Sequence, residues 1–187
     1  AITLNGMAHF VIGDHNMVYT NLISGSGGFV EDYYNSQMVF SASNTYSGPT
    51  IIGSSGNSPE VALTGNGSIS HSSLIFFGGS DPTVAHLDVI GRFDQTLTLA
   101  GGQTLAGIGG INGSLVVSSG ATLSPAGTNT TIGITTGANA TGAIAASDNV
   151  TLEGTTVLKL DGSGTNDMIV AAAGLTYGGM LNLVNIS

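Results

Sequence analysis

The sequence predicts an all-β chain wound as a β-solenoid, with few or no helices. Three observations carry this. Residues 96–127 read TLTLAGGQTLAGIGGINGSLVVSSGATLSPAG, so Leu97, Leu99, Leu105, Ile108, Ile111, Leu115, Val117 and Leu123 recur at short intervals among small and polar residues. No segment has the length or spacing of an amphipathic helix, whereas Leu or Val alternating with Thr or Ser is the period of a half-buried strand. The 30 glycines fall in clusters that read as turns. Short strands and tight turns repeated without interruption are what stacked coils require.

Taken in order, the apolar alternation predicts strands at Ile2–Leu4, His9–Ile12, Met17–Ile23, Gly28–Val30 and Gln37–Ser41. Thr50–Ile52, Glu60–Leu63, Ser73–Phe77, Ala85–Ile90 and Thr96–Leu99 follow. The last set is Ser114–Ser118, Thr131–Thr135, Asn149–Leu152, Thr156–Leu160, Met168–Val170 and Met180–Val184. The gaps are rich in Gly, Asn, Ser and Asp, which tolerate positive φ. In Thr156–Leu160, alternation puts Leu158 and Leu160 inside and Val157 and Lys159 outside. With two or three strands per turn, the chain makes on the order of eight to ten coils, a rod roughly 40 Å long at ~4.8 Å per strand.

Composition narrows the function. Only 7% of residues are charged and the net charge is −9, with Arg92 and Lys159 as the only fixed cations. Nucleic acid and anionic membranes both attract basic patches, so neither is an expected partner. At 41% hydrophobic, the chain has too much apolar content for a disordered Gly/Ser tract. Without Cys there is neither a disulfide nor a thiolate metal site. Backbone pairing and aliphatic stacking must supply the stability. The opening Ala-Ile-Thr reads as the terminus left by a cleaved signal peptide, which places the protein outside the cell. No run of ~20 apolar residues is present to span a membrane as a helix. Aromatics concentrate in residues 1–60 and charge in 61–95, but no linker separates them. Residues 1–187 are read as one solenoid domain.

Several stretches resemble a known family. They are Ile23–Val30 (ISGSGGFV), Val39–Ser41, Ser43–Ile52 (SNTYSGPTII), Gly113–Gly127 (GSLVVSSGATLSPAG) and the run Val150–Val184, with Leu158–Gly162 (LKLDG) and Gly178–Leu183 (GGMLNL). The chain resembles the autotransporter-associated β-strand repeat proteins, whose passengers are right-handed β-helices. The resemblance implies a single-stranded right-handed parallel β-helix in a secreted or cell-surface rod, and no reaction. The first motif occurs once here, and Glu31-Asp32-Tyr33-Tyr34-Asn35 replaces the usual Gly-rich loop.

Residues able to carry chemistry are sparse. Asp81, Asp88 and Asp94 are the best carboxylates for a glycosidase pair, set against their reading as turn and surface residues. Arg92 and Lys159 stand alone, whereas uronate-cleaving lyases need clustered cations. Asp161-Gly-Ser-Gly-Thr-Asn-Asp167 spaces oxygens as a Ca²⁺ loop does, but also as an ordinary turn does. The spacing of His9, His15, His71 and His86 suits no local metal pair, and no GxSxG elbow is present. No cofactor is expected. Tyr33, Tyr34 and Tyr46 form an aromatic group with polar neighbours, fit to stack on sugar rings or to plug a wide coil.

Solenoids normally cover their end coils with a helix or a polar cap. AITLNGMAHFVIG and GGMLNLVNIS are instead apolar-alternating and uncharged. The leading expectation is therefore a non-enzymatic extracellular subunit that polymerises with itself head to tail. Its contacts would be Ile2, Leu4, Phe10 and Ile12 at one end and Leu181, Leu183 and Ile186 at the other. Two alternatives come from other classes. One is an adhesin stalk or passenger segment that contacts glycans or other surface proteins through residues 29–46. The other is a polysaccharide-active β-helix enzyme.

Overall fold

A computed structural model describes residues 1–10, 13, 15–32, 35–53, 58–127 and 140–187. Among them every regular element is a strand, and every strand-to-strand pairing is parallel. Parallel neighbours cannot be joined by a tight hairpin. Here each connection instead carries the chain around a coil, so that Ile2 pairs with Ile23 and Ala8 with Phe29 one turn later. The arrangement is that of a parallel β-solenoid.

The strands lie on three faces. The first face carries β1 (Ile2–Leu4), β4 (Ile23–Gly25), β11 (Thr96–Leu99), β13 (Ser114–Val117), β16 (Val150–Leu152) and β19 (Leu175–Tyr177). It forms two sheets, β1-β4 and β11-β13-β16-β19. The chain between them adds isolated links, such as Thr45 N–H to the Ile23 carbonyl and the bridge Ser43–Ser68. The second face runs unbroken through eight strands. These are β2 (Ala8–His9), β5 (Phe29–Glu31), β7 (Thr50–Ile52), β9 (Leu74–Gly78), β12 (Thr104–Asn112), β14 (Thr122–Pro125), β17 (Thr155–Leu160) and β20 (Met180–Asn185). The third carries β3 (Asn16–Tyr19), β6 (Gln37–Phe40), β8 (Glu60–Leu63), β10 (His86–Asp88), the second half of β12, β15 (Ala143–Ala146) and β18 (Met168–Ala171).

The core is a set of residue rows running along the stack. Phe29, Ile75, Leu105 and Leu123 share one row of the second face and are fully buried. At the first-coil end aromatic rings gather beside this row, with Phe10 and Phe29 rings 5.0 Å apart and Phe29 edge-on to Phe40 at 5.2 Å. The second face is also covered on its outer side, where Val30, Ile51, Phe76 and Ala106 form a smaller buried cluster with Met7 and Leu74. Continuous apolar runs such as Leu74–Phe77 are what a strand buried on both sides requires.

Several predicted elements need correction. Met17–Ile23 is two strands, β3 and β4, because the chain turns a corner at Thr20–Leu22. β12 was not predicted at all. Its glycines read as a turn, but Gly107, at φ +94, lets one nine-residue strand bend from the second face to the third. A Cβ there would lie 2.0 Å from the Phe77 carbonyl oxygen of the coil alongside. β14, β15 and β19 were also missed. Thr131–Thr135 lies outside the described residues. Leu160, expected inside, is 38% exposed because β17 leaves the core at that corner. Lys159 is buried instead, and its Nζ donates to the Ala126 carbonyl at 2.7 Å.

Candidate functional site

The two ends of the stack are built from the same alternation that builds its middle. In β1, Thr3 points to solvent between half-buried Ile2 and buried Leu4. Phe10 is half-buried against the core. Ile12 lies outside the described residues. At the other end Leu181 occupies the Leu105–Leu123–Thr156 row, and Leu183 pairs with Leu158. Leu105 and Leu123, row-mates of Leu181, are sealed, yet Leu181 is 47% exposed, and Leu183 beside half-buried Leu158 is 54% exposed. Ile186 is half-buried, its N–H bonded to the Leu160 carbonyl at 3.0 Å. Leu152, Thr156, Leu158, Ile169, Leu175 and Leu181 line an open apolar cleft at this end. Leucines on β20 are exposed because, among the described residues, β20 pairs only with β17. β1, β2, β19 and β20 contain no Asp, Glu, Lys or Arg.

The tyrosine group divides. Tyr33 and Tyr34 lie outside the described residues. Tyr46, read as a possible ligand contact, is fully buried and out of reach of a ligand. Its hydroxyl meets Thr50 Oγ1 at 2.6 Å. Thr50 in turn donates to Ser72 Oγ at 2.9 Å, and Ser72 to the Gly48 carbonyl at 2.9 Å. Burial pushes the Tyr46 hydroxyl pKa well above its ordinary value, so it stays protonated. The spacing Tyr46–Thr50, four residues across a corner, is the signal that pairs the two hydroxyls inside the coil.

Each candidate carboxylate is occupied by its own turn. Asp81 Oδ1 accepts the Thr83 N–H at 2.7 Å and the Thr83 hydroxyl, and these bonds hold its pKa below the ordinary carboxylate value. Asp88 Oδ1 accepts the Ile90 N–H at 2.8 Å. Asp94 takes Arg92 Nε at 2.8 Å and Nη2 at 2.9 Å, a two-pronged bond that lowers its pKa in the same way. Arg92 also reaches the Gly67 carbonyl. Beside it, in the cleft between Ser68–Ser70 and β11, Gln103 donates to the Ile69 and Ser72 carbonyls. The cation of that cleft is thus committed to Asp94 and the Gly67 carbonyl, and its amide to backbone carbonyls.

In the Asp161–Asp167 loop the Asp161, Ser163 and Thr165 side-chain oxygens lie within 2.7–3.2 Å of one another and are bonded to each other, while Asp167 points elsewhere. Asp161 accepts from the Ser163 N–H and hydroxyl and from Thr165. Asp167 instead ties Gly142 N–H and Lys159 N–H, each at 2.9 Å, and burial raises its pKa. Asp167 is a structural residue that the sequence reading missed. Among the described residues no three His, Asp or Glu side chains gather as a metal site would need. His9 Nδ1 lies 3.9 Å from Asp32 Oδ2. Among the described residues no helix is long and apolar enough to cross a membrane. No family model matches the chain, and neither a curated protein nor a solved structure matches it.

Proposed function

We propose that this protein is a non-enzymatic, extracellular structural subunit whose coils stack head to tail into a filament. Its coil is a single-stranded, right-handed β-helix. Support for the hand comes from chain geometry, because crossovers between parallel strands are right-handed in nearly all cases. The low cation content and the likeness to autotransporter-associated repeats support export by a cleaved signal peptide to the cell surface or beyond.

One observation carries the stacking. Leu181 sits in a row whose Leu105, Leu123 and Thr156 are sealed, yet it is 47% exposed on the last coil, with Leu183 beside it at 54%. Covering such side chains with another coil stabilises by ~25 cal/mol per Å² of apolar area removed from water. A parallel strand laid on β20 also satisfies its free backbone edge.

The test compares the native protein with a Leu181→Asp/Leu183→Asp variant by sedimentation and electron microscopy. The native protein should form elongated species that grow with concentration. The variant should remain monomeric with unchanged strand content by circular dichroism. Uniform native monomers at high concentration would contradict the proposal.

A further inference from the structure

We infer that successive copies in the stack are turned by one face relative to each other. β1 of one copy then lies on β18 of the copy before it, β2 on β19, and β3 on β20. This inference rests on the stacking reading and specifies its interface.

The order of strands around the coil leads to it. β20 lies on the second face, and the next position along the coil is on the third, above β18. Among the described residues β18 pairs only with β15, and none of them is laid on its other edge. A copy seated with like faces together would pair β1 with β19 and β2 with β20. That seating leaves the edge of β18 and the edge of β3 a strand's width apart. Turning the copy by one face brings all three pairs into contact, and the coil-to-coil interface continues without a gap.

The side chains fit the turned seating. Inward-facing Ile169 and Ala171 of β18 meet inward-facing Ile2 and Leu4. Leu4 to Ala8 and Ala171 to Leu175 are each four residues apart, a spacing that Tyr177 to Leu181 shares, so the order of strands and not this corner decides between the seatings. On the second face Leu181 and Leu183 meet Met17 and Tyr19, whose row-mates Met38 and Phe40 are buried. Val18 and Asn182 then lie side by side on the outer surface. No fixed charge is buried, because none of β1, β2, β3, β18, β19 and β20 contains Asp, Glu, Lys or Arg.

The chain has no Cys, so introduced thiols report position without interference. Neighbouring parallel strands lie ~4.8 Å apart, within the Cα separation that a disulfide spans. Within one molecule the two ends are separated by more than ~30 Å of stacked strands, so any bridge between them joins two copies. In the turned seating, outward Thr3 neighbours outward Val170. With like faces together it would neighbour Thr176.

Thr3→Cys/Val170→Cys should therefore convert on oxidation from a monomer band to a ladder of covalent multimers, collapsed again by a thiol reductant. Thr3→Cys/Thr176→Cys should stay at the monomer band. Val18→Cys/Asn182→Cys reports the same seating on the second face and serves if the first pair fails to fold. A ladder from Thr3→Cys/Thr176→Cys alone overturns the turn while leaving head-to-tail stacking in place. Filaments with no ladder from either turned pair overturn it too. Loss of both filaments and ladders overturns the stacking itself.

Discussion

Leu105 and Leu181 occupy the same row of the second face, yet Leu105 is sealed and Leu181 is half exposed. Local sequence does not explain the contrast, because both are inward leucines of strands of the same face, Leu105 between Thr104 and Ala106 and Leu181 between Met180 and Asn182. The neighbour explains it. Leu105 lies between Ile75 and Leu123, whereas Leu181 has Thr156 on one side and solvent on the other. In a stacked coil a residue belongs to the core only if another coil covers it. The middle and the last coil therefore answer differently to the same substitution.

Paired glycines should show the largest difference. Gly107→Ala adds left-handed strain and drives a Cβ against the Phe77 carbonyl, at an expected cost of about 4 kcal/mol. Gly164 has a similar φ of +95 but open space around it, so Gly164→Ala should cost about 1 kcal/mol, the strain alone. Urea denaturation at a concentration that keeps the protein monomeric measures both. Equal losses would mean that coil-to-coil contact is not what constrains Gly107.

The leucines come next. Leu105→Ala should cost about 3 kcal/mol as a sealed cavity. Leu181→Ala should cost under about 1 kcal/mol in the monomer, since half its surface is already wet. The gap between them should narrow as stacking covers Leu181.

Tyrosines give a smaller contrast. Tyr46→Phe removes the bond to Thr50, which keeps its bond to Ser72, and should cost about 1 kcal/mol. The equivalent change at exposed Tyr177 should leave the denaturation midpoint where it was.

The smallest effect is in acid. Asp81 and Asp94 have pKa values held below the ordinary 3.8, so the folded state favours their ionised forms. Their contribution is present at neutral pH and is lost as pH falls below about 4 toward the folded-state values. Asp167, raised by burial, acts in the opposite sense and gains as pH falls. Asp94→Asn should therefore make the acid limb of the stability curve shallower. A steeper limb would reverse the assignment of Asp94.

The sequence discloses the periodic parts of this molecule better than its exceptions. Thr50–Ile52, Glu60–Leu63 and Thr96–Leu99 were read from alternation alone, with the bounds the structure has. β12 was hidden because glycine marks a turn in most contexts, while here Gly107 bends a continuing strand. Tyr46 read equally well as a surface aromatic, since its burial depends on Thr50 and Ser72 one coil apart. Lys159 was expected in solvent because a charged residue at an outward position normally is. Here the carbonyl of Ala126, 33 residues away, holds its Nζ. Alternation is local and legible, whereas cover comes from the next coil and is not.

The most direct measurement is cryo-electron microscopy of the native protein at high concentration. Stacking turned by one face predicts filaments in which the ~4.8 Å strand ladder runs unbroken through every junction. Each subunit should rise by roughly 37 Å and rotate by a third of a turn from the coil phase of the last. Uniform monomers, or filaments joined side by side with the β20 edge left in solvent, would contradict it.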